Sequence, residues 1–183
     1  MSIVFDEGTL RFEFGDAWTV VNYDAERYYR EKVQQLQETQ AVDFLGIHRR
    51  RGTYFIEVKD YRSYQDTSGK LFQNELAQTV GRKVRDTIAG VIGASRSESD
   101  PSKWDAFKDG LCAPDRADRL VRVVLWFEDD SPHAESEWKV KALVIQDKIK
   151  QSLRWYTTKI LVTKDPASLP DLRVCNLPRP RAR

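Results

Sequence analysis

The sequence predicts an α/β fold, a mixed β-sheet flanked by helices, with an antiparallel β-meander at its N-terminus. Three observations predict it. Two apolar runs, residues 42–47 and 54–58, flank a polar stretch over 49–52, the pattern of a β-hairpin whose strands are covered on both faces. Two long stretches, ending near residues 93 and 155, carry apolar residues at helical spacing. Between them, residues 120–127 (LVRVVLWF) form a continuous apolar run of strand length.

Residues 2–21 read as two or three short strands with turns at 6–8 and 15–16. Leu10, Phe12 and Phe14 alternate with Arg11 and Glu13, as a half-buried strand does. This meander serves either as a sheet extension or as a dimer surface. Asp24 is a fitting N-cap for a helix over residues 25–38, which is rich in good helix formers. After the hairpin come a polar connection over 61–69 and a helix to about residue 93, on which Leu76, Val80, Val84, Ile88 and Val91 step by three or four. A polar line, Asn74, Gln78, Arg82 and Arg85, follows the same helical spacing.

A polar loop opens at residue 94, and Pro101 begins a short helix to about Leu111, with Trp104 and Phe107 as core anchors on one face. The segment reads as an insertion or as the lining of a substrate groove. Beyond the strand at 120–127, a helix over 133–155 carries Trp138, Ala142, Ile145, Ile149 and Leu153 as a stripe, with lysines on the opposite side. A strand at 159–163, a turn at 165–170 and a short strand at 172–175 complete the order.

At 183 residues and 40% hydrophobic, the chain suits one domain with a real core. Its parts are a β extension (1–22), a core (24–163) and a proline-arginine tail (176–183). No apolar run is long enough to cross a bilayer, and acidic residues stand where a signal peptide would be apolar, so the expectation is a cytoplasmic protein without a membrane partner. Cys112 and Cys175 show no metal-ligand or disulfide spacing and read as reduced core thiols. The chain has no Gly-rich phosphate loop and no G-x-S-x-G elbow, and His48 and His133 lack partner spacing. A net charge of only +2 leaves any argument for nucleic acid to local basic clusters, at 48–51, 82–85, 139–141, 148–154 and 179–183. Such clusters are more often solvated surface than phosphate contacts; the first two are expected beside the site described next.

The hairpin holds Asp43, Glu57 and Lys59. With Arg50, Arg51 and Gly52 as a three-residue loop, Arg49 pairs with Thr53, Leu45 with Glu57 and Asp43 with Lys59. The two carboxylates are then diagonal neighbours about 7 Å apart. Sliding the register by two places Asp43 directly opposite Glu57, on the same face. Carboxylates among apolar strands need partners, because an unpaired buried charge is strongly unfavourable. A divalent cation supplies one solution, since Mg²⁺ takes one or two carboxylates and completes its shell with water and phosphate oxygens. A structural network of Asp43, Glu57 and Lys59 supplies another.

An aspartate entering one strand, a tight turn, and an apolar strand ending in Glu57-Val58-Lys59 resembles the PD-(D/E)xK nuclease superfamily, which has the restriction-endonuclease-like fold. Val42 stands where many members have proline. The resemblance implies Mg²⁺ (or Mn²⁺) held by Asp43, Glu57 and the Val58 carbonyl, with Lys59 as the catalytic cation and a nucleic acid, DNA before RNA, as substrate. A role in restriction or defence, and a homodimer or partner protein, follow by analogy only. The same comparison nominates a glutamate of the preceding helix, Glu26 or Glu31, and polar groups of the following helix, Gln78, Arg82, Lys83 and Arg85. Arg49, Arg50 and Arg51 are candidate phosphate contacts. The superfamily core has a strand between its first helix and the aspartate strand that is not evident in this sequence, and the N-terminal meander is the candidate to supply it. A non-catalytic nucleic-acid-binding or assembly subunit with the same fold is the alternative.

Overall fold

The computed structural model describes residues 2–62, 70–97, 101–113, 120–129 and 135–178. Among these residues, eight strands and three α-helices run in the order β1 (Ile3–Glu7), β2 (Leu10–Phe14), β3 (Trp18–Asn22), β4 (Phe44–His48), β5 (Gly52–Asp60), α1 (Lys70–Ser97), α2 (Ser102–Cys112), β6 (Val121–Glu128), α3 (Glu135–Leu153), β7 (Ile160–Thr163) and β8 (Leu172–Asn176). The expected connection over 63–69, His133 and the tail residues 179–183 lie outside the described residues. No described helix is long and apolar enough to cross a membrane.

Two sheets form. The larger has the order β3-β4-β5-β6-β7, antiparallel through β5 and parallel from β5 to β7. The smaller is an antiparallel β1-β2-β8 sheet. The β4–β5 strands are apolar on both faces because both faces are covered. Leu45 and Phe55 join the core formed with Leu76, Val80 and Val84 of α1 and with Ile145 and Ile149 of α3. Phe44, Ile56, Val58, Val124 and Trp126 face the other way and pack on Leu10, Phe12, Phe14 and Leu172 of the smaller sheet. Each fully buried side chain of this size contributes about 1.5–3 kcal/mol, so the large sheet is held from both sides.

The N-terminal strands therefore do not form one continuous meander. β1 and β2 make a hairpin that β8 completes, while β3 crosses to the large sheet and becomes its edge beside β4. That edge strand lies beside β4 but comes before residues 25–38 in the chain, and among the described residues no strand stands between those residues and Asp43.

The hairpin register also departs from the expected one. The loop is Arg49, Arg50 and Arg51; His48 pairs with Gly52, and Leu45 with Phe55. The Arg51 N–H donates to the His48 carbonyl at 3.0 Å, closing the turn, and Gly52 takes φ +95° just after it. A tight turn followed by a left-handed glycine is a standard three-residue connection. The glycine is thus the first residue of β5 and not the last of the loop. The whole pairing slides by two residues.

The helix expected over 25–38 is replaced by a π-helical turn at Tyr29–Val33, and Glu38 has φ +61°. The segment has propensity but little apolar face: Tyr29 is buried, Leu36 is exposed, and charged residues and glutamines fill most other positions. Helices of this length depend on tertiary burial more than on propensity, and here too little is buried. The later helices agree with their stripes. Leu76, Val80, Val84 and Val91 are buried on α1, as are Ala142, Ile145, Ile149 and Leu153 on α3, and Trp104 and Phe107 anchor α2. The two cysteines are free and exposed, not core thiols, since each lies at the end of an element near the surface.

Candidate active site

Continuing the β4–β5 register by one rung sets Asp43 opposite Glu57. Asp43 is fixed by backbone. Its carbonyl accepts from the Tyr23 N–H at 2.8 Å, prolonging the β3–β4 ladder, and its Oδ2 accepts from the Val58 N–H at 2.6 Å. Glu57, in the middle of the sheet with β6 on its far side, is 0% exposed.

Two lysines converge on these carboxylates. Lys59 Nζ lies 2.9 Å from Glu57 Oε1, two residues along the same strand face. Lys83 reaches down from α1, with Nζ 2.7 Å from Glu57 Oε1 and 3.6 Å from Asp43 Oδ1. Helical periodicity puts Lys83 beside Val84 and Val80, turned toward the sheet, whereas Gln78, Arg82 and Arg85 are exposed. Arg85 pairs with Asp86 at 2.7 Å. Of the four polar α1 candidates, only Lys83 contacts Asp43 and Glu57 among the described residues.

Glu57 is poorly satisfied for so buried a group. Both ammonium groups crowd Oε1 at ion-pair distance without hydrogen-bond alignment, and Oε2 has no hydrogen-bond partner among the described residues. Burial, and after it the charge of Asp43, pushes the Glu57 carboxyl above its ordinary range, against the pull of the two lysines. Burial alone would lower Lys59, but the adjacent Glu57 outweighs it and the net direction is up, so Lys59 stays an ammonium.

Two further acids belong to this electrostatic cluster. Glu7 ends β1 on the same side as Phe5, whose ring stacks on Phe44 at 5.5 Å. Burial, then the charges of Asp43, Asp24 and Glu57, raise its carboxyl to about 7. Asp24 is likewise raised, by burial first and then by Asp43. The β1–β2 turn that carries Glu7 is held over the end of β5: Thr9 Oγ1 donates to Asp60 Oδ2 at 2.5 Å, and Arg62 donates to Asp60 Oδ1 at 2.8 Å and to Thr9 Oγ1 at 2.6 Å. Sequence reasoning missed Glu7 because a hairpin tip carries no spacing signal toward a distant strand. Asp24 was visible only as a cap.

The remaining candidates lie elsewhere. Glu26 pairs with Lys103 of α2 at 2.6 Å, and Glu31 is exposed on the π-helical turn. Arg49, Arg50 and Arg51 are exposed at the opposite end of β5 from Lys59, roughly 17 Å from Glu57 by strand rise, so the expectation that they flank the carboxylates is corrected. His48 is buried, with Nε2 3.2 Å from Asp171 Oδ2 and Nδ1 accepting from the Arg50 N–H.

Among the described residues, no three Asp, Glu, His or Cys side chains form a ready metal-binding group. The donor chemistry nevertheless suits a hard cation taking one or two carboxylates: Asp43 and Glu57 already share a single cationic centre, the Lys83 ammonium, and Glu57 Oε2 is buried with no hydrogen-bond partner among the described residues. Comparison of the chain with family models, with curated proteins and with solved structures returns no match.

Proposed function

We propose that this chain is a nuclease dependent on Mg²⁺ or Mn²⁺, hydrolysing phosphodiester bonds in nucleic acid, DNA before RNA, with a restriction-endonuclease-like core. The observation that carries the reading is the convergence of Asp43 and Glu57, from opposing rungs of β4 and β5, on one cationic point, with the Lys59 ammonium 2.9 Å from Glu57. Mg²⁺ held there by the two carboxylates, with the Val58 carbonyl beside them, would lower the pKa of a bound water and offset the charge developing on the phosphate. The chain's own groups do the positioning. The Val58 N–H orients Asp43 so that Oδ1 is the oxygen left to face a cation. Lys59 is 27% exposed, the more open of the two ammonium groups, and can donate to an attacking water or a phosphate oxygen at the rim. A defence role is consistent with such an activity, and cutting both strands of a duplex would call for two copies of the site.

A second reading has one observation in its favour. Lys59 and Lys83 balance the two charges of Asp43 and Glu57, so the quartet is neutral by itself. In this reading the protein binds nucleic acid or a partner without cutting.

Incubation of the wild type and Lys59→Ala with plasmid, linear duplex, single-stranded DNA and RNA, with Mg²⁺, Mn²⁺ or EDTA, separates the two. Metal-dependent cutting by the wild type, slowed about 10²-fold or more in Lys59→Ala, is the expected result. Salt-sensitive binding by both proteins, indifferent to Mg²⁺ and without cleavage, favours the second reading.

A further inference from the structure

We infer that Lys83 is a resident counter-ion of the Asp43–Glu57 pair, which a divalent cation must displace in order to bind. The inference rests on the metal-site reading and deepens it.

The geometry distinguishes the two lysines. Of the two carboxylates Lys59 lies at ion-pair distance from Glu57, whereas Lys83 lies at ion-pair distance from both, at 2.7 and 3.6 Å. Lys83 therefore occupies a place from which both acids are reached. A Mg²⁺ ligated by both would lie about 2.1 Å from each oxygen, close enough to the present ammonium position that like charges could not share it. One of the two cations must leave, and the lysine has the means to do so. It follows the exposed Arg82 on α1, its stem has four flexible carbons, and its side chain is already 15% exposed, so the path of its head to solvent is short.

The burial of Glu57 explains why such a group is needed. A carboxylate with no solvent exposure requires positive charge nearby whether or not a metal is present, and Lys83 supplies it across the sheet-helix interface. The result is a site that stays folded without metal and binds metal more weakly than its two carboxylates alone would. On release, the ammonium remains tethered beside the site, next to the exposed Arg82.

The test measures Mn²⁺ binding by calorimetry at pH 7.5 for the wild type, Lys83→Met and Glu57→Gln. Lys83→Met is expected to bind about tenfold more tightly than the wild type, equivalent to about 1.4 kcal/mol of removed competition. Glu57→Gln is expected to lose binding. In parallel, acetylation of wild-type lysines is followed by peptide mass spectrometry, with the exposed Lys150 as reference. Saturating Mn²⁺ is expected to speed Lys83 labelling several-fold; this arm decides the matter if Lys83→Met does not fold. Mn²⁺ binding that is equal or weaker in a folded Lys83→Met, or unchanged Lys83 labelling at saturation, overturns the counter-ion role while leaving the metal site standing. No Mn²⁺ binding by either protein removes the metal-site reading, and this inference with it.

Discussion

The Val58 backbone N–H donates to Asp43 Oδ2 at 2.6 Å, so the main chain of β5 aims the carboxylate that enters β4. This bond separates the structural from the chemical role of Asp43. Asp43→Ala strands a buried N–H and removes a partner of Lys83, and is expected to lose about 2–4 kcal/mol of stability. Asp43→Asn keeps an oxygen acceptor and should lose about 1 kcal/mol. Both variants should lose Mn²⁺ binding at least tenfold, because both lack the charge. Urea unfolding and calorimetry on the two variants check this; equal stabilities would show that the Val58 bond holds nothing in place.

Glu7 gives the fold a pH dependence of unusual sign for a carboxylate. Its pKa rises from 4.5 to about 7 on folding, chiefly through burial. The folded state therefore holds a proton that the unfolded chain releases, and the associated stability is fully present below pH 4.5 and lost as pH rises to about 7. The site is half-screened by solvent, so the loss is on the order of 1 kcal/mol. Glu7→Gln should abolish it, making the protein more stable than the wild type at pH 8 and little different at pH 5. Denaturation midpoints at both pH values test this. A wild-type advantage at pH 8 would mean that the ionised Glu7 has a stabilising partner.

Arg62 is the hinge pin of that turn. It holds the Asp60 carboxyl down at about 2 by hydrogen bonding and donates to Thr9 at 2.6 Å. Arg62→Ala should let the β1–β2 turn lift, so that Glu7 is hydrated and its pKa falls back toward 4.5. Side-chain carboxyl NMR shifts followed against pH report this directly. An unmoved Glu7 titration would show that the Thr9–Asp60 hydrogen bond and the packing of Phe5 keep the turn down without Arg62.

Legibility in the sequence followed the reach of each signal. The stripes on α1 and α3 and the apolar run of β6 record burial residue by residue, and the helices and strand appear where those patterns lie. The hairpin was legible as a hairpin, but its register was not. A loop ending in glycine fits two pairings, and the choice was made by the turn at His48–Arg51 and the covered faces of Phe44 and Ile56. Residues 25–38 misled because helix propensity is written locally while how little of the segment the rest of the fold covers is not. At the site, Asp43, Glu57 and Lys59 shared one hairpin and could be grouped by spacing. Glu7 reaches them through packing of one sheet on another, which no periodicity records. Lys83 could be narrowed to a helix face but not separated from Arg82 and Arg85.

Gly90 on α1 is set against Tyr23, whose ring is 1% exposed and whose hydroxyl has no hydrogen-bond partner among the described residues. A Cβ at position 90 would lie 2.3 Å from that hydroxyl oxygen and 3.5 Å from Val33. In an open helix Gly→Ala stabilises by about 1 kcal/mol. Here the overlap should reverse the sign, and Gly90→Ala is expected to destabilise by about 1–3 kcal/mol. Tyr23→Phe removes the clashing oxygen together with a buried group that has no partner, and should be neutral or slightly stabilising. The two changes touch, so they should not add: in Gly90→Ala/Tyr23→Phe most of the Gly90→Ala loss returns, giving a coupling of about 1–2 kcal/mol. Urea denaturation of the four proteins closes the cycle. Additivity within error would mean that α1 accommodates the methyl by shifting away from Tyr23, and that close approach of the tyrosine is not what requires glycine there.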